Sequence, residues 1–214
     1  AEDARRFSRE HGTHVAGVIA ANHNDIRIDG IAPEATLVSI KALNESDLLY
    51  PEALVCAYEW ATTHQVDIVH NSYQMDPWVY WNPTDPEQAA ALEAAERAIH
   101  RAQSSGLAVI AGAGDRGVDI DHPTTDSDSP TDSTPIPNRS VEGGRMVPAQ
   151  VSGVVTVSSV GMEDWNAEPL RATLMRAERS NYGASVDFAA PGEWIYSTYP
   201  NGRIPQTYRY TAGT

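Results

Sequence analysis

The sequence predicts an α/β domain: three layers, doubly wound, with a mainly parallel sheet and helices on both faces. Three observations carry this. Strand-like and helix-like segments alternate along the chain. Strand candidates include continuous apolar runs such as Leu107–Ala111 (LAVIA), which suit a sheet covered on both faces. Hydrophobic residues make up 41 % of the 214, enough for a core.

The elements follow in order. Between residues 10 and 22, His14, Val15, Val18 and Ile19 recur at helical spacing. Thr36–Leu43 (TLVSIKAL) reads as a strand. Pro51 suits a first helical turn, and Leu54, Tyr58 and Ala61 share one face after it. Cys56, on the same helix, is expected to be a small core residue. Val66–Val69 (VDIV) is a short strand. Asp85, Pro86 and Gln88 supply a cap, a first-position proline and an amide three residues after the cap. Leu92, Ala95, Ile99 and Ala102 then form a buried stripe that Gly106 ends. LAVIA, Val154–Val160 and Val186–Ala189 complete the strands.

Residues 118–140 differ. Asp119, Asp121, Asp126, Asp128 and Asp132 stand among Ser, Thr and four prolines. Such a run reads as a solvated surface insertion. Its carboxylates also suit a weak calcium loop, although they lack a regular ligand spacing.

Lys plus Arg number 15 and Asp plus Glu 29, a formal charge of −14. Such a surface repels phosphate, so no nucleic acid and no anionic membrane is expected as partner. The single cysteine excludes an intrachain disulfide framework and any zinc site built from several cysteines. No apolar run approaches the ~20 residues of a membrane span. The opening AEDARRFSRE has no signal-peptide core.

The chemistry concentrates in His11–Gly17 (HGTHVAG). Two imidazoles stand three residues apart at a helix start, and Gly12 permits close approach to the first. An imidazole takes up a proton near pH 7, which makes it a candidate general base. Two buried, hydrogen-bonded histidines are the plainer reading. A zinc pair would want a spacing of four and a glutamate base.

HGTHVAG resembles the histidine motif of the subtilisin-like serine peptidases. Similar segments follow in the family's order: GIAPEA with LVSIKAL, VDIVHNSYQ, GLAVIAGAGDRG, VPAQVSGVVTVSSVG, VDFAAPGEWIYST and Thr211–Thr214 (TAGT). The resemblance implies a serine endopeptidase using an Asp-His-Ser triad on protein or peptide substrates, with no cofactor needed for the chemistry. His11 takes the base's place and His14 is structural. Ser72, Tyr73 and Gln74 form one wall of the substrate groove; Gly112, Ala113 and Gly114 form the other. Asp115 takes the oxyanion position. Asn24, in the loop Ala21–Pro33, matches the asparagine of a family calcium loop, which otherwise reads as a plain solvated loop. An extracellular location is what the resemblance favours; the sequence sets no oligomeric state.

The departures are specific. No segment before His11 resembles the family's Asp strand, since Asp3 stands in a polar run, and the nucleophile would follow Thr214. Ser180 and Ser185 fall where the family uses structural residues. Residues 1–214 are therefore expected to be an incomplete peptidase domain, inactive alone, because a serine hydroxyl is a weak nucleophile without base and orienting carboxylate. Asp115 replaces an Asn whose N–H helps bind the oxyanion. Loss of that donor costs roughly 10²–10³ in turnover, unless a protonated Asp donates instead. Gln74 replaces a glycine and narrows the pocket or makes it polar. These departures also fit a non-catalytic domain that holds an extended peptide without cutting it.

Overall fold

The computed structural model describes residues 2–162, 173–200 and 207–213, with residues 2–10 given by their backbone alone. In chain order the elements are α1 (Glu2–Ala20), α2 (Pro51–Thr63), β1 (Ile68–Asn71), α3 (Ala89–Ser104), β2 (Ala108–Gly112), β3 (Thr125–Asp126), β4 (Arg139–Ser140), β5 (Val155–Met162), β6 (Leu174–Arg176), β7 (Phe188–Pro191), β8 (Ile195–Tyr199) and β9 (Thr207–Thr211). The chain divides into two compact units, one of residues 1–41 with 192–212 and one of residues 42–191 with the last two.

The larger unit holds a mainly parallel five-stranded sheet. β1 pairs with β2, β2 with β5, and β5 with β7, all parallel; β6 alone runs antiparallel, along the end of β5. This is the α/β class the sequence predicts. The core contains the expected stripes: Leu54, Tyr58 and Ala61 of α2, Leu92, Ala95, Ile99 and Ala102 of α3, and Val109 and Ala111 of β2. Burial of these side chains is the main stabilising term, roughly 1.5–3 kcal/mol for each large aliphatic one.

Pairing sets the strand limits more than composition does. β1 begins at Ile68, two residues later than the apolar run VDIV, because the ladder begins where Ala108 N–H donates to Asp67 C=O at 2.8 Å. Regular α3 begins at Ala89, preceded by a turn in which Asp85 accepts from Glu87 N–H at 2.9 Å and from the Gln88 side chain at 2.6 Å. The helix-start chemistry of Asp85, Pro86 and Gln88 is thus present one turn ahead of the helix itself.

Two expectations are corrected. Thr36–Leu43 forms no strand. Leu37, Val38, Ile40 and Leu43 are 37–53 % exposed, and among the described residues no strand pairs with them. Apolar composition alone does not make a strand, since the ladder needs a partner. Cys56 is exposed. It lies two residues from both Leu54 and Tyr58, which puts it on the outer side of α2.

Residues 118–140 are not solvated throughout. Ile120, Asp126 and Ser129 are buried. Ser129 Oγ accepts from Val79 N–H at 2.8 Å, and Asp126 pairs with Arg139 at 3.0 Å across the short β3–β4 ladder. All five aspartates of the segment have protein partners: His122, Ser185, Arg139, Arg116 and Tyr50 respectively.

The smaller unit packs α1 on the antiparallel β8–β9 hairpin. No described helix is long and apolar enough to cross a membrane.

Leu92→Ala should lower the unfolding free energy by roughly 2–5 kcal/mol, as expected for a core cavity. Cys56→Ala should change it by at most about 0.5 kcal/mol. Urea titration of both variants checks this; equal losses would contradict the burial described.

Candidate active site

Parallel pairing fixes where the larger unit presents its chemistry. Asn71 is opposite Ala111 at the carboxyl ends of β1 and β2. The segments that follow, 72–74 and 112–116, therefore leave the sheet at the same edge, where parallel α/β sheets bind ligands.

Asn71 is fully buried. Its Nδ2 donates to Ile110 C=O at 2.9 Å, and its Oδ1 accepts from the hydroxyls of Tyr58 and Tyr73. Burial pushes both tyrosine hydroxyls well above the usual range, so they stay protonated donors. Tyr73 thus turns its hydroxyl to the core. Ser72 Oγ lies 2.6 Å from His70 Nε2, and Gln74 Oε1 accepts from Arg116 Nη2 at 3.5 Å.

The opposite segment is organised by a residue that sequence reasoning missed. Asn181, fully buried, donates from Nδ2 to Ala113 C=O at 2.9 Å. Its Oδ1 accepts from the N–H groups of Arg116 at 3.0 Å and Val118 at 3.2 Å. Its backbone N–H reaches Gly114 C=O at 2.8 Å. Gly114 has φ +98, and a Cβ there would meet the Asn181 amide, so glycine is required on both grounds. Gly112 ends β2, and Ala113 is fully buried, its N–H donating to Val157 C=O at 2.8 Å. Nothing periodic marks Asn181 in the sequence; the resemblance points only to the segment around it.

Asp115 follows this turn with its side chain 59 % exposed and a carboxylate oxygen 3.5 Å from Arg179 Nη2. Its side chain offers oxygen acceptors and no N–H. Ser180 and Ser185 are structural in their bonds: Ser180 Oγ accepts from Ser159 N–H at 2.8 Å, and Ser185 bonds Asp121.

In the smaller unit, HGTHVAG divides into two roles. His14 is 4 % exposed. Its Nε2 lies 3.0 Å from Ile195 C=O and 3.2 Å from Arg209 C=O. Carbonyls only accept, so Nε2 carries a proton; Thr211 Oγ1 lies beside the ring, 3.1 Å from Nε2 and 3.2 Å from Nδ1. The C=O groups of Thr13 and His14 accept from Thr198 and Ser197 hydroxyls. A Cβ on Gly17 would clash with those same hydroxyls. His14 and Gly17 thus seat the helix on the β8–β9 hairpin, the structural part the resemblance implies for His14. His11 stands one turn earlier on α1. Burial, and then the neighbouring His14, hold its imidazole below the ordinary value of 6.5. That keeps it neutral near pH 7, the state a general base needs.

Asn24 is placed in the same unit, folded into a tight turn in which its Oδ1 accepts from Ile26 N–H at 3.0 Å. His23 and Asp29 pair beside it at 2.8 Å. Among the described residues no three His, Cys, Asp or Glu side chains are grouped to hold a metal ion. Asp3 has no described side chain, and Thr214, the end of TAGT, lies outside the described residues.

Comparison with known proteins agrees with this geometry. The model of the subtilase family (Peptidase S8) matches residues 1–214. The chain belongs to the subtilase family. Subtilisin DY of Bacillus licheniformis is 31 % identical over 204 residues, which cover 95 % of this chain and 57 % of the relative. Subtilisin Savinase of Lederbergia lenta is 30 % identical over 213 residues, 100 % of this chain and 60 % of the relative. This subtilase chain therefore spans less than two-thirds of the length of those relatives. Among solved structures, an epidermin leader peptide processing serine protease of Staphylococcus aureus superposes with a TM-score of 0.71 at 23 % identity, over 96 % of this chain and 49 % of that one. That likeness speaks for the fold.

Two outcomes are expected. His11 should titrate below 6.5 when its ring resonances are followed by NMR. Since the unfolded chain takes up that proton first, this site's contribution to stability holds above about pH 6.5 and is lost as pH falls through the lowered folded value. A titration midpoint at or above 6.5 would refute its burial. Asn181→Ala should leave the buried Ala113 C=O without its donor and the Arg116 and Val118 N–H groups without their acceptor, and cost about 1–3 kcal/mol in denaturant titration; a silent substitution would remove Asn181 from the organising role.

Proposed function

We propose that this chain is part of a serine endopeptidase domain that cuts peptide bonds through an Asp-His-Ser triad, His11 being the general base. The carrying observation is the division of labour in HGTHVAG. His14 is locked into the hairpin by three polar partners, and His11 is left partly exposed with a lowered proton affinity. The family match over the whole chain supports the same reading.

In this reading residues 1–214 are one incomplete peptidase domain, both units belonging to it. The triad Asp and Ser come from outside these residues, so the isolated chain does not hydrolyse peptides. Ser72–Gln74 and Gly112–Gly114 line the substrate groove, with Tyr73 contributing backbone rather than its hydroxyl. Asp115 stands at the oxyanion position and slows turnover relative to an amide. Peptides and proteins are the substrates, and an extracellular location follows from the resemblance. Calcium at Asn24 would use the second lone pair of the Oδ1 that accepts from Ile26 N–H, and the chemistry does not depend on it.

A peptide-binding domain without catalysis is the second reading, favoured by one observation. Asp115 offers no N–H to an oxyanion and lies near Arg179. Such a domain would hold an extended peptide at the sheet edge.

The deciding experiment uses the full-length protein, a fluorophosphonate probe and casein. Labelling and cleavage are expected, with His11→Ala lowering kcat by roughly 10⁴-fold or more. Asp115→Asn should raise kcat by roughly 10²-fold, because it restores a donor. No labelling and no cleavage would overturn the peptidase reading, and retention of an uncut extended peptide would then support the binding one.

A further inference from the structure

A cavity of about 450 Å³ lies in the larger unit, beside the loop that carries Asp115. Its size falls within the roughly 300–1,000 Å³ of small-ligand sites. Tyr80, Arg116, Asp119, Asp126, Asp128 and Tyr182 supply its polar and aromatic wall. The insertion 118–140 contributes three of these, so the cavity is specific to a segment whose composition already stands apart.

Tyr80 points to a ligand. The residue is 4 % exposed and lines the cavity, and its hydroxyl is not among the described buried atoms that lack a partner. The charges that bear on this hydroxyl are Arg116, Asp126 and Asp119, all in the cavity wall. The hydroxyl is not itself sealed off: it opens on the cavity that Tyr80 lines, where a ligand can bond it.

The surrounding charges define that ligand. Asp126 is satisfied from behind by Arg139, at 3.0 Å, and by Asp128 N–H at 2.8 Å. Burial opposes its charge, but bonds from Ser129, the Asp128 backbone and Arg139 overcome this and hold its carboxyl below the usual range. Asp119 pairs with His122 at 3.0 Å and stays one-third exposed. Asp128 is 64 % exposed and pairs with Arg116. An anion entering here meets three carboxylates, of which Arg139 pairs with Asp126 from behind and Arg116 with Asp128, while Arg176 lies over the Tyr182 ring at 4.6 Å. A cation meets the open sides of Asp128 and Asp119 and the Tyr80 hydroxyl, acceptors that suit a guanidinium in particular. Arg116 already displays that recognition on Asp128. It also reaches Gln74, which ties the cavity to the groove wall.

We propose that this cavity is a subsite for a basic side chain of the peptide substrate, with Asp128 and the Tyr80 hydroxyl taking its head group and Arg116 yielding Asp128 to it. This rests on the peptidase reading above. The subsite distinguishes arginine and lysine from neutral side chains, and removal of Arg116 sharpens that preference.

Two measurements on the full-length protein test it. The first is calorimetric binding of N-acetyl-arginine methylamide, against the norleucine and glutamate analogues. Arginine-selective binding, weakened roughly tenfold in Asp128→Asn, is expected from the loss of one charge-assisted hydrogen bond. Asp128→Glu, which keeps the charge, should restore most of it, and Tyr80→Phe should weaken it by a smaller factor. The second is kcat/KM on peptides that vary one position between arginine, lysine, norleucine and glutamate. Arginine should exceed norleucine by roughly tenfold, the ratio falling towards one in Asp128→Asn and rising in Arg116→Ala. Cleavage without basic preference overturns the subsite and leaves the peptidase reading standing. Absence of cleavage and of fluorophosphonate labelling overturns the peptidase reading; the calorimetry then decides the cavity alone, and equal binding of all three analogues, or none, overturns it.

Discussion

The candidate groove wall in the larger unit depends on one buried amide. Asn181 supplies a donor to the buried Ala113 C=O and an acceptor to the partly buried N–H groups of Arg116 and Val118. Its three side-chain bonds fix residues 113–118, and with them the direction of Asp115 and of Arg116. Inside a protein such a bond is electrostatically stronger than in water, and its loss correspondingly more costly. Gly114 is the complementary constraint, because only a residue without Cβ lets the backbone approach that amide. Everything attributed to this side of the groove inherits its geometry from this contact.

The smaller unit solves a comparable problem with an imidazole. One ring bonds two carbonyls on neighbouring strands and a threonine, so it fastens α1 across both strands of the hairpin. The other ring in the same motif, partly buried beside it, binds its proton less tightly than a free imidazole. Two identical side chains, three residues apart, thus differ in surroundings, one bridging the strands of the hairpin and the other not buried as deeply. In both units the chemistry stands on polar contacts to backbone that are buried and fully used.

Much of this was legible from sequence. The stripes of α2 and α3 were given by Leu54, Tyr58, Ala61 and by Leu92, Ala95, Ile99, Ala102, since helical periodicity is local. LAVIA was legible as a core strand for the same reason. Thr36–Leu43 was not, because strand formation depends on a distant partner. Cys56 stands exposed against expectation because a small apolar side chain says little about which face it occupies. In the site, His11 and His14 were separable only through the resemblance, and the structure supplied the bonds that explain the difference. Asn181 and the Tyr80 cavity had no local signal at all. They join positions far apart in the chain, and only the fold brings them together.

The position of β1 has a consequence for handling the chain. β1 ends the sheet, and among the described residues nothing pairs with its outer edge. Ile68 on that strand and Phe188 on β7 are 58 % and 64 % exposed. An open edge with apolar side chains is a template for adding strands from other copies. What opposes this near neutral pH is mutual repulsion between molecules carrying a formal charge of −14. That protection fades as the solution approaches the isoelectric point of about 4.7. Colloidal stability of the isolated chain is therefore set by its surface acids. It is lowest in mildly acidic buffer, where precipitation can precede any loss of fold.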